Sequence, residues 1–351
     1  MMRPVRGCGI SVRRALTTSA LIALMATTGS RDGHGAVVDA GVPSEPSTAV
    51  STSSPSSAGV SAPLPSSARQ GGWSFGDAAF VYTSQSSGNA DLWFKTGPVG
   101  ESANLTDSPA QDHWASWFPG GERLAFQTMR DGNREIYAMN ADGSGTINLT
   151  NDPAQDLLPE VSPDGSRILF FSDRGIEHGP QELPGRLYVM DADGGNVESI
   201  TETPLTSTFG GDWSPDGGAI LFARDFDGDI DLVLLDLETG EERRLPGTSA
   251  AESAGRFSPD GARIAFNASG KDDEARIVVM NVDGGERREI TRGGQHHSPR
   301  WSPDGRWLMF TGAASGETQF DIMMVSAEGG QVRSLVATDV DERGGTWRPG
   351  R

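Results

Sequence analysis

The sequence predicts an all-β fold, a six-bladed β-propeller of four-stranded antiparallel blades. The first observation is a corner motif, Trp301-Ser302-Pro303-Asp304-Gly305 in full, whose copies recur along residues 73–350. Five of the six steps between copies are 44 to 46 residues long and one is 52, a period typical of propeller blades. The second observation is that short apolar strands and tight turns fill each period in the same order. The copies begin at Trp73, Trp117, Val161, Trp213, Phe257, Trp301 and Trp347.

The corner motif has the chemistry of a tight turn. Proline fixes φ at the second position, aspartate tolerates the third, and glycine adopts the left-handed conformation that follows. The leading tryptophan is large and flat, so we expect it to fill the wedge between adjacent blades.

Residues 109–150 show how one repeat divides into four strands, A to D. The strands are predicted at Asp112–Trp117, Arg123–Thr128, Glu135–Met139 and Thr146–Thr150. Turns rich in glycine, asparagine and aspartate separate them, which predicts an antiparallel meander.

Ring closure can be predicted from a count of strands. Six sets of B–C–D strands are present, but seven segments could serve as strand A. We expect Gly344–Trp347 to close the ring against the first set, at residues 78–106, because closure removes an exposed sheet edge. Trp73 would then begin a competing or flanking strand.

Composition divides the chain into three parts. Residues 1–30 are predicted to be an export signal, with four arginines before an apolar run too short to span a bilayer. Either an ordinary secretion signal or a twin-arginine signal at Arg13-Arg14 fits this segment. Residues 31–70 are predicted to be a disordered linker rich in serine and proline, and residues 71–351 to be the propeller. The predicted localisation is therefore extracytoplasmic, either periplasmic or secreted.

Charge limits the classes of partner. The chain has 48 acidic and 29 basic residues, a formal net charge of −19. Such a surface repels nucleic acid and anionic lipid, so we expect neither as a partner. Cys8 is the only cysteine, so the propeller is predicted to have no disulfide and no thiolate metal site. We expect a monomer with no membrane span that binds a protein or peptide.

The repeats resemble those of TolB-type β-propellers, which also occur in dipeptidyl-peptidase-like enzymes. The resemblance rests on the corner motif, the Ile-Ala-Phe-type strand after it, the Asp131-Gly132-Asn133 turn, the Ile136–Gly143 run and the Asn148-Leu149-Thr150 ending. It covers about residues 73–350 and implies a six-bladed propeller. A TolB protein has a small α/β domain before its propeller, where this chain has the serine- and proline-rich linker. Peptidase relatives carry a hydrolase domain, so neither a Tol-system role nor peptidase activity follows from the resemblance.

One face of the propeller is the expected place for a binding site. Because strand direction alternates within a blade, the D-to-A and B-to-C connections share a face, here named the D–A face. The longer period places most of its extra residues in the B-to-C loop Asp173–Arg186, which contains Ile176, His178 and Leu183. This loop is either a partner contact or a tolerated insertion.

Register-matched residues at the start of each strand A are predicted to surround the central channel. Four of the six residues five places before the corner are acidic, which would make an acidic funnel for a cation, a metal or a basic peptide. Residues one place before the corner are predicted to form ion pairs along the channel wall. Both sets also fit the ordinary polar lining of a wet channel. The mouth set is Asp112, Asp156, Thr208, Glu252, His296 and Glu342, and the charged wall set is Glu160, Asp212, Arg256 and Arg300.

A divalent cation is the one cofactor that the sequence leaves open. His113, His296 and His297 could hold Zn or Mn together with a mouth carboxylate, as in some oligogalacturonate lyases with similar repeats. Adjacent histidines on an extended strand point apart, which weakens this hypothesis. The acidic segment Asp225–Asp231 looks like a calcium loop, but its position and spacing favour a hairpin turn.

Three functions follow from these observations. The favoured hypothesis is an exported, non-catalytic propeller that binds a protein, a peptide or an envelope component at the channel mouth. The alternative is a metal-dependent carbohydrate lyase or hydrolase that uses the channel histidines. The third is a structural spacer tethered by the linker.

Overall fold

A computed structural model describes residues 78–179, 184–205, 210–270 and 274–350. These residues form β-strands and turns, and no α-helix. None of them therefore belongs to a helix with the length and apolarity that crossing a membrane requires. The predicted export signal, the linker and the Trp73 strand lie outside the described residues.

The strands form six four-stranded antiparallel blades, which confirms the predicted fold, and one parallel residue pair, Ala275 with Gln295, links blades 5 and 6. In chain order they are β1 (Ala79–Ser84), β2 (Asp91–Thr96), β3 (Ser102–Asn104), β4 (Asp112–Trp117), β5 (Arg123–Thr128), β6 (Glu135–Asn140), β7 (Ile147–Asn148), β8 (Asp156–Val161), β9 (Arg167–Ser172), β10 (Arg186–Asp191), β11 (Glu198–Ser199), β12 (Gly211–Trp213), β13 (Ala219–Phe226), β14 (Asp229–Asp236), β15 (Glu242–Arg244), β16 (Ala251–Phe257), β17 (Arg263–Ser269), β18 (Ala275–Asn281), β19 (Arg288–Glu289), β20 (Gly294–Trp301), β21 (Trp307–Ala314), β22 (Asp321–Ser326), β23 (Arg333–Val336) and β24 (Glu342–Trp347).

The last strand completes the first blade. Strand β24 pairs with β1, with Trp347 opposite Phe80 and Glu342 opposite Ser84, so blade 1 has the order β24-β1-β2-β3. Blades 2 to 6 are β4–β7, β8–β11, β12–β15, β16–β19 and β20–β23. The prediction that Gly344–Trp347 closes the ring is thus confirmed.

The innermost strands form a closed ring. Each contacts the next in the order β24, β4, β8, β12, β16, β20 and back to β24. Blades 1 and 4, 2 and 5, and 3 and 6 therefore face each other across the central channel.

The corner motif forms the predicted turn, and its serine adds contacts. The amide of Gly305 donates to the carbonyl of Ser302 (2.8 Å), and Gly305 has a φ of 68°. The Ser302 hydroxyl donates to Asp304 Oδ1 (2.6 Å) and accepts from the Trp307 amide (3.0 Å). Serine thereby joins the turn to the start of strand B.

The corner tryptophans fill the space between blades, as predicted. Trp301 packs into the apolar cluster between blades 5 and 6, and its indole N–H donates to the Arg256 carbonyl of the preceding inner strand (3.0 Å). Trp213 makes the same bond to the Glu160 carbonyl (3.0 Å). The wedge residue therefore also sets the height of one inner strand against the next.

Strand B of each blade is covered on both faces. Its fourth residue is a phenylalanine, at most 1% exposed, in blades 2 to 6. Burying a side chain of this size contributes roughly 2–3 kcal/mol. These residues are Phe126, Phe170, Phe222, Phe266 and Phe310.

The outermost strands are shorter than predicted. Strand β7 covers only Ile147–Asn148, because the Ile136 amide bonds to the Thr150 hydroxyl (3.0 Å) instead of continuing the backbone ladder. The Ile277 amide and the Thr291 hydroxyl make the equivalent bond in blade 5. In the Asn-Leu-Thr ending of the repeat, the threonine side chain thus ends strand D by replacing a backbone hydrogen bond.

The acidic segment Asp225–Asp231 is a hairpin, as its position predicted. Strands β13 and β14 pair up to Phe226 and Asp229 around a two-residue turn. That turn, Asp227-Gly228, has φ values of 58° and 97°, as a type I′ turn requires.

Candidate binding site at the channel mouth

Every inner strand kinks at the same place, three residues before the corner. The residue there has a left-handed φ between 51° and 65° in all six blades, and the strand pairing shifts register there in five. Such bulges bend a strand and redirect its side chains. The six residues, here named the collar, are Trp114, Leu158, Gly210, Ala254, Ser298 and Gly344.

The collar is large on one side of the channel and small on the other. The half-buried Trp114 ring lies over Gly344 of the neighbouring strand, where an added Cβ would come within 3.0 Å of the indole Cε3. Leu158 lies over Gly210 in the same way, with 3.3 Å between the two Cβ positions. Sequence reasoning missed the collar, although two glycines at one register were a visible signal.

Side chains from neighbouring blades hold these bulges in place. The Ser298 amide donates to Asn267 Oδ1 (2.9 Å), and the Gly344 amide donates to the Thr311 hydroxyl (3.1 Å). Asn267 and Thr311 lie on strands B of the preceding blades. The collar is therefore set by contacts between blades as well as within them.

The predicted mouth acids are placed at one level, but their side chains are buried. Asp112, Asp156, Glu252 and Glu342 are each 0% exposed. Of the two other positions, Thr208 lies outside the described residues and His296 is 4% exposed. An acidic funnel would need these carboxylates to face the channel, so their contact with a ligand stays a prediction.

Each buried carboxylate has partners within the protein. Three are paired with arginines: Arg130 with Asp112 at 3.2 Å, Arg174 with Asp156 at 2.6 Å, and Arg287 with Glu252 at 2.6 Å. Glu342 accepts hydrogen bonds from the hydroxyls of Ser84 and Thr338, both at 2.9 Å. Burial raises the pKa of Asp156 to about 6, and it also raises the pKa values of Asp112 and Glu342.

In three adjacent inner strands, the residue directly after the mouth residue is an arginine or a histidine. Their register places His113 on β4, Arg343 on β24 and His297 on β20 at equivalent positions, with β24 in the middle. The pKa values of His113 and His297 are both lowered to about 4, mainly by burial and in smaller part by nearby positive charge that includes Arg343. Both rings are therefore neutral near pH 7.

The histidine arrangement gives a metal no support. Among the described residues, no three His, Cys, Asp or Glu side chains form a group that could hold an ion. Arg343 lies on the strand between His113 and His297, and its positive charge would repel a cation there. The divalent cation stays a prediction, as does the lyase function that depends on it.

The wall residues join opposite sides of the channel. Arg300 Nη1 on blade 6 lies 2.6 Å from Glu160 Oε2 on blade 3, and Arg256 Nη2 lies 3.8 Å from the same oxygen. The Ser116 hydroxyl donates to the other Glu160 oxygen (3.0 Å). Asp212 accepts from the Phe257 amide (2.7 Å), and burial raises the pKa of its carboxyl. Because blades 3 and 6 face each other, the Arg300–Glu160 pair crosses the channel.

The mouth, the collar and the wall pair lie at successive levels along the inner strands, from the D–A face inward, and we name this part of the channel the cup. The wall pair lies three residues deeper along the inner strands than the level of His113, Arg343 and His297, which is roughly 10 Å at the rise of a strand.

The long B-to-C loop is attached beside this cup. His178 Nε2 lies 2.9 Å from Asp173 Oδ2, and Gly185 pairs with Leu205 of the following connection. Leu183 lies outside the described residues. A partner contact by this loop stays a prediction.

A six-bladed β-propeller closed by its last strand is thus the class that the fold defines. The sequence profile of the TolB beta propeller domain matches residues 70–202 and 176–350, and the chain belongs to this family. No curated protein sequence matches the chain.

Solved structures with the same fold are distant in sequence. TolB from Acinetobacter baumannii superposes with a TM-score of 0.70 at 19% identity, covering 79% of this chain and 68% of that one. A structure from Agrobacterium tumefaciens assigned to TolB gives 0.58 at 19%, covering 77% and 97%. Hydrazine synthase from Kuenenia stuttgartiensis gives 0.64 at 16%, covering 78% and 47%. At such identities the likeness defines the fold alone.

Proposed function

We propose that this chain is an exported, non-catalytic binding propeller that holds a peptide segment of a protein or envelope component in the cup. The observation that carries the proposal is the half-buried Trp114 ring, which a left-handed backbone turn and Gly344 place in the collar. Membership of the TolB beta propeller family supports a binding role in general. Export is proposed from the predicted signal at residues 1–30.

The cup suits a single inserted side chain of an extended peptide. Covering a half-exposed aromatic ring with an apolar or aromatic group is favourable, because the covered surface is removed from water. The wall pair would be the floor that stops the inserted group. Polar groups on the D–A face would bind the flanking peptide backbone.

Selection from a random peptide library tests this proposal, because such a library offers every kind of side chain for insertion into the cup. The immobilised full chain should enrich peptides that bind at least about tenfold more weakly to the Trp114→Ala variant, because the lost ring contributes much of the buried surface. The Val99→Ala variant is the control, since Val99 is 95% exposed and lies in a turn of blade 1. Failure to enrich any peptide, or equal binding to Trp114→Ala, would overturn the proposal.

A further inference from the structure

We propose that the cup selects peptide segments that carry carboxylate groups, and that Arg134 and Arg343 receive them. This inference rests on the proposed function, and it names the chemistry of the ligand. It reverses the expectation of a cation or a basic peptide that the acidic mouth set suggested.

Arg134 is the first observation. It lies in the B-to-C connection of blade 2, half buried, and its carbonyl accepts the Asp156 amide at the start of β8 (2.9 Å). Its own amide and Nη1 both donate to Gln155 Oε1, at 3.3 and 3.4 Å. Among the described residues, no carboxylate lies within 4.0 Å of its guanidinium.

The acids around Arg134 are already engaged. Asp112 and Asp156 are paired with Arg130 and Arg174. Asp173, the acid whose charge reaches Arg134, accepts the Gln155 amide on one oxygen (2.8 Å) and contacts His178 on the other (2.9 Å). In a chain with 48 acidic residues, this half-buried cation therefore has no ionic partner of its own within the described protein.

Arg343 is held in place on the other side of His113. Its guanidinium stacks on the Phe320 ring at 4.5 Å and pairs with Asp341 at 2.9 Å. Asp341 is itself fixed by the Phe320 amide (3.0 Å). Strand β4, which carries His113, lies between β24 and β8. Arg343 is on β24, and Arg134 is hydrogen-bonded to Gln155 just before β8, so the two arginines lie on either side of that histidine.

His113 provides evidence that both arginines lie close to it. The charges of Arg134 and Arg343 both lower the pKa of His113, after the larger effect of burial. Its neutral ring can donate or accept one hydrogen bond without adding charge. His297 Nδ1, on the far side of Arg343, is buried without a hydrogen-bond partner among the described residues.

A carboxylate is the group that this arrangement fits. Guanidinium groups bind carboxylates through paired N–H donors, and a partly desolvated arginine is costly until an anion pairs with it. The anion is either an Asp or Glu side chain or the C-terminal carboxylate of the peptide. Trp114 beside this site would bind the neighbouring apolar part of the same segment.

Peptides that differ only in charge test the inference. Acetylated, amidated Trp-Glu-Glu-Gly should bind the full chain at least about tenfold more tightly than Trp-Gln-Gln-Gly, with a preference that shrinks as salt is raised. The Arg134→Gln variant should lose most of that preference, and Arg134→Lys should keep part of it. Arg306→Gln is the matched control, because Arg306 lies in an A-to-B turn on the opposite face and its side chain is 80% exposed.

A free C-terminus distinguishes the two sources of carboxylate. Trp-Gln-Gln-Gly with a free carboxylate should match the glutamate peptide only if the site receives chain ends. If neither carboxylate form binds better than the neutral amidated peptide, the inference is wrong.

Thermal unfolding separates binding from a structural role. Removing a half-buried cation without an ionic partner should leave the unfolding midpoint of Arg134→Gln unchanged or raised. A lowered midpoint with intact peptide preference would make Arg134 structural and overturn the inference. Enrichment of lysine-rich peptides that still need Trp114 would overturn the inference alone and leave the proposed function standing. Failure of all peptides would overturn both.

Discussion

At the scale of single residues, His113 and His297 show how burial changes the protonation of a side chain. His113 and His297 are held neutral because the fold removes water from them and places Arg343 between their strands. The protein therefore binds fewer protons at these sites when folded than when unfolded. Below their ordinary pKa, this difference must reduce the free energy of unfolding.

The pH dependence of stability tests this account of His113. With a folded pKa of about 4, its contribution to stability is complete above about pH 6.5 and is lost as the pH falls through about 4. Between pH 7 and pH 4, the free energy of unfolding should therefore fall by about 1–3 kcal/mol less in His113→Gln than in the wild type. Urea titrations at several pH values would measure it. Val99→Ala should follow the wild-type profile, and parallel profiles for His113→Gln would contradict the assignment.

The carboxyl of Asp156 acts in the opposite direction. Burial raises its pKa to about 6, so its contribution favours the folded state at low pH and is lost as the pH rises through about 6. The wild-type profile sums both effects. Only the difference between wild type and variant isolates the histidine.

The repeat register predicted that the mouth acids share one level, but nothing in the sequence predicted that their side chains are buried. Strand periodicity and the repeat register put Asp112, Asp156, Glu252 and Glu342 at one height, as the structure has them. Their burial follows from arginines elsewhere in the blade, such as Arg130 and Arg287. Arg287 reaches Glu252 from beside strand D, a contact that no local pattern indicates.

At the scale of the elements, the inner strands are defined by their bulge. A non-glycine residue in the left-handed region is costly, yet Trp114, Leu158, Ala254 and Ser298 all adopt it. The same conformation occurs at this position in all six blades, which indicates that the ring geometry imposes it. The glycines at the two remaining positions make room for the large neighbours.

Gly344 tests the collar, and Gly316 is its matched control. Both have left-handed φ values, 61° and 86°, but an added Cβ meets Trp114 at 3.0 Å at Gly344 and nothing within 4 Å at Gly316. Each change to alanine should cost about 1 kcal/mol of unfolding free energy from backbone strain. Gly344→Ala should cost about 1 kcal/mol more, because the indole must shift. Equal losses in chemical denaturation would mean that Trp114 does not pack against this position.

The corner motif shows what an element-level pattern can predict. Proline, aspartate and glycine identified the turn, and the tryptophan identified the wedge, because both depend on neighbouring residues. The bulge was missed because contacts from the preceding blade help to hold it, as Asn267 and Thr311 do for the amides of Ser298 and Gly344. Periodicity within one strand carries no signal for such contacts.

At the scale of the whole molecule, an ion pair spans the central channel. The Arg300–Glu160 pair links blades that are far apart in the chain and opposite in the ring. Removing one member leaves the other with a poorer partner in a partly desolvated place. The pair at the floor of the cup should therefore contribute to the free energy of unfolding of the whole propeller.

Arg300→Met should lower the free energy of unfolding by about 2–3 kcal/mol, since Arg256 compensates Glu160 only from 3.8 Å. Arg300→Met combined with Glu160→Leu should lose less than the single change, because no charge is left alone. The exposed Arg306→Gln variant should change stability by less than about 0.5 kcal/mol. A single variant as stable as wild type would show that the pair contributes nothing to closure.

Blade number and ring closure could be predicted because they follow from counting repeats. The ion pairs across the channel could be anticipated only as a set, since which charges meet depends on how six strands tilt around one axis. Arg134 could not be found from sequence at all. Its significance comes from the pairing of every acid near it.

The closing strand also has a consequence for synthesis. Ser84 bonds to Glu342, a partner 258 residues later in the chain. At roughly 5–20 residues per second, a ribosome needs on the order of tens of seconds to deliver that partner. Throughout that interval the nascent first blade presents an open, largely apolar border, and a chaperone that shields β1 should raise the yield of native protein.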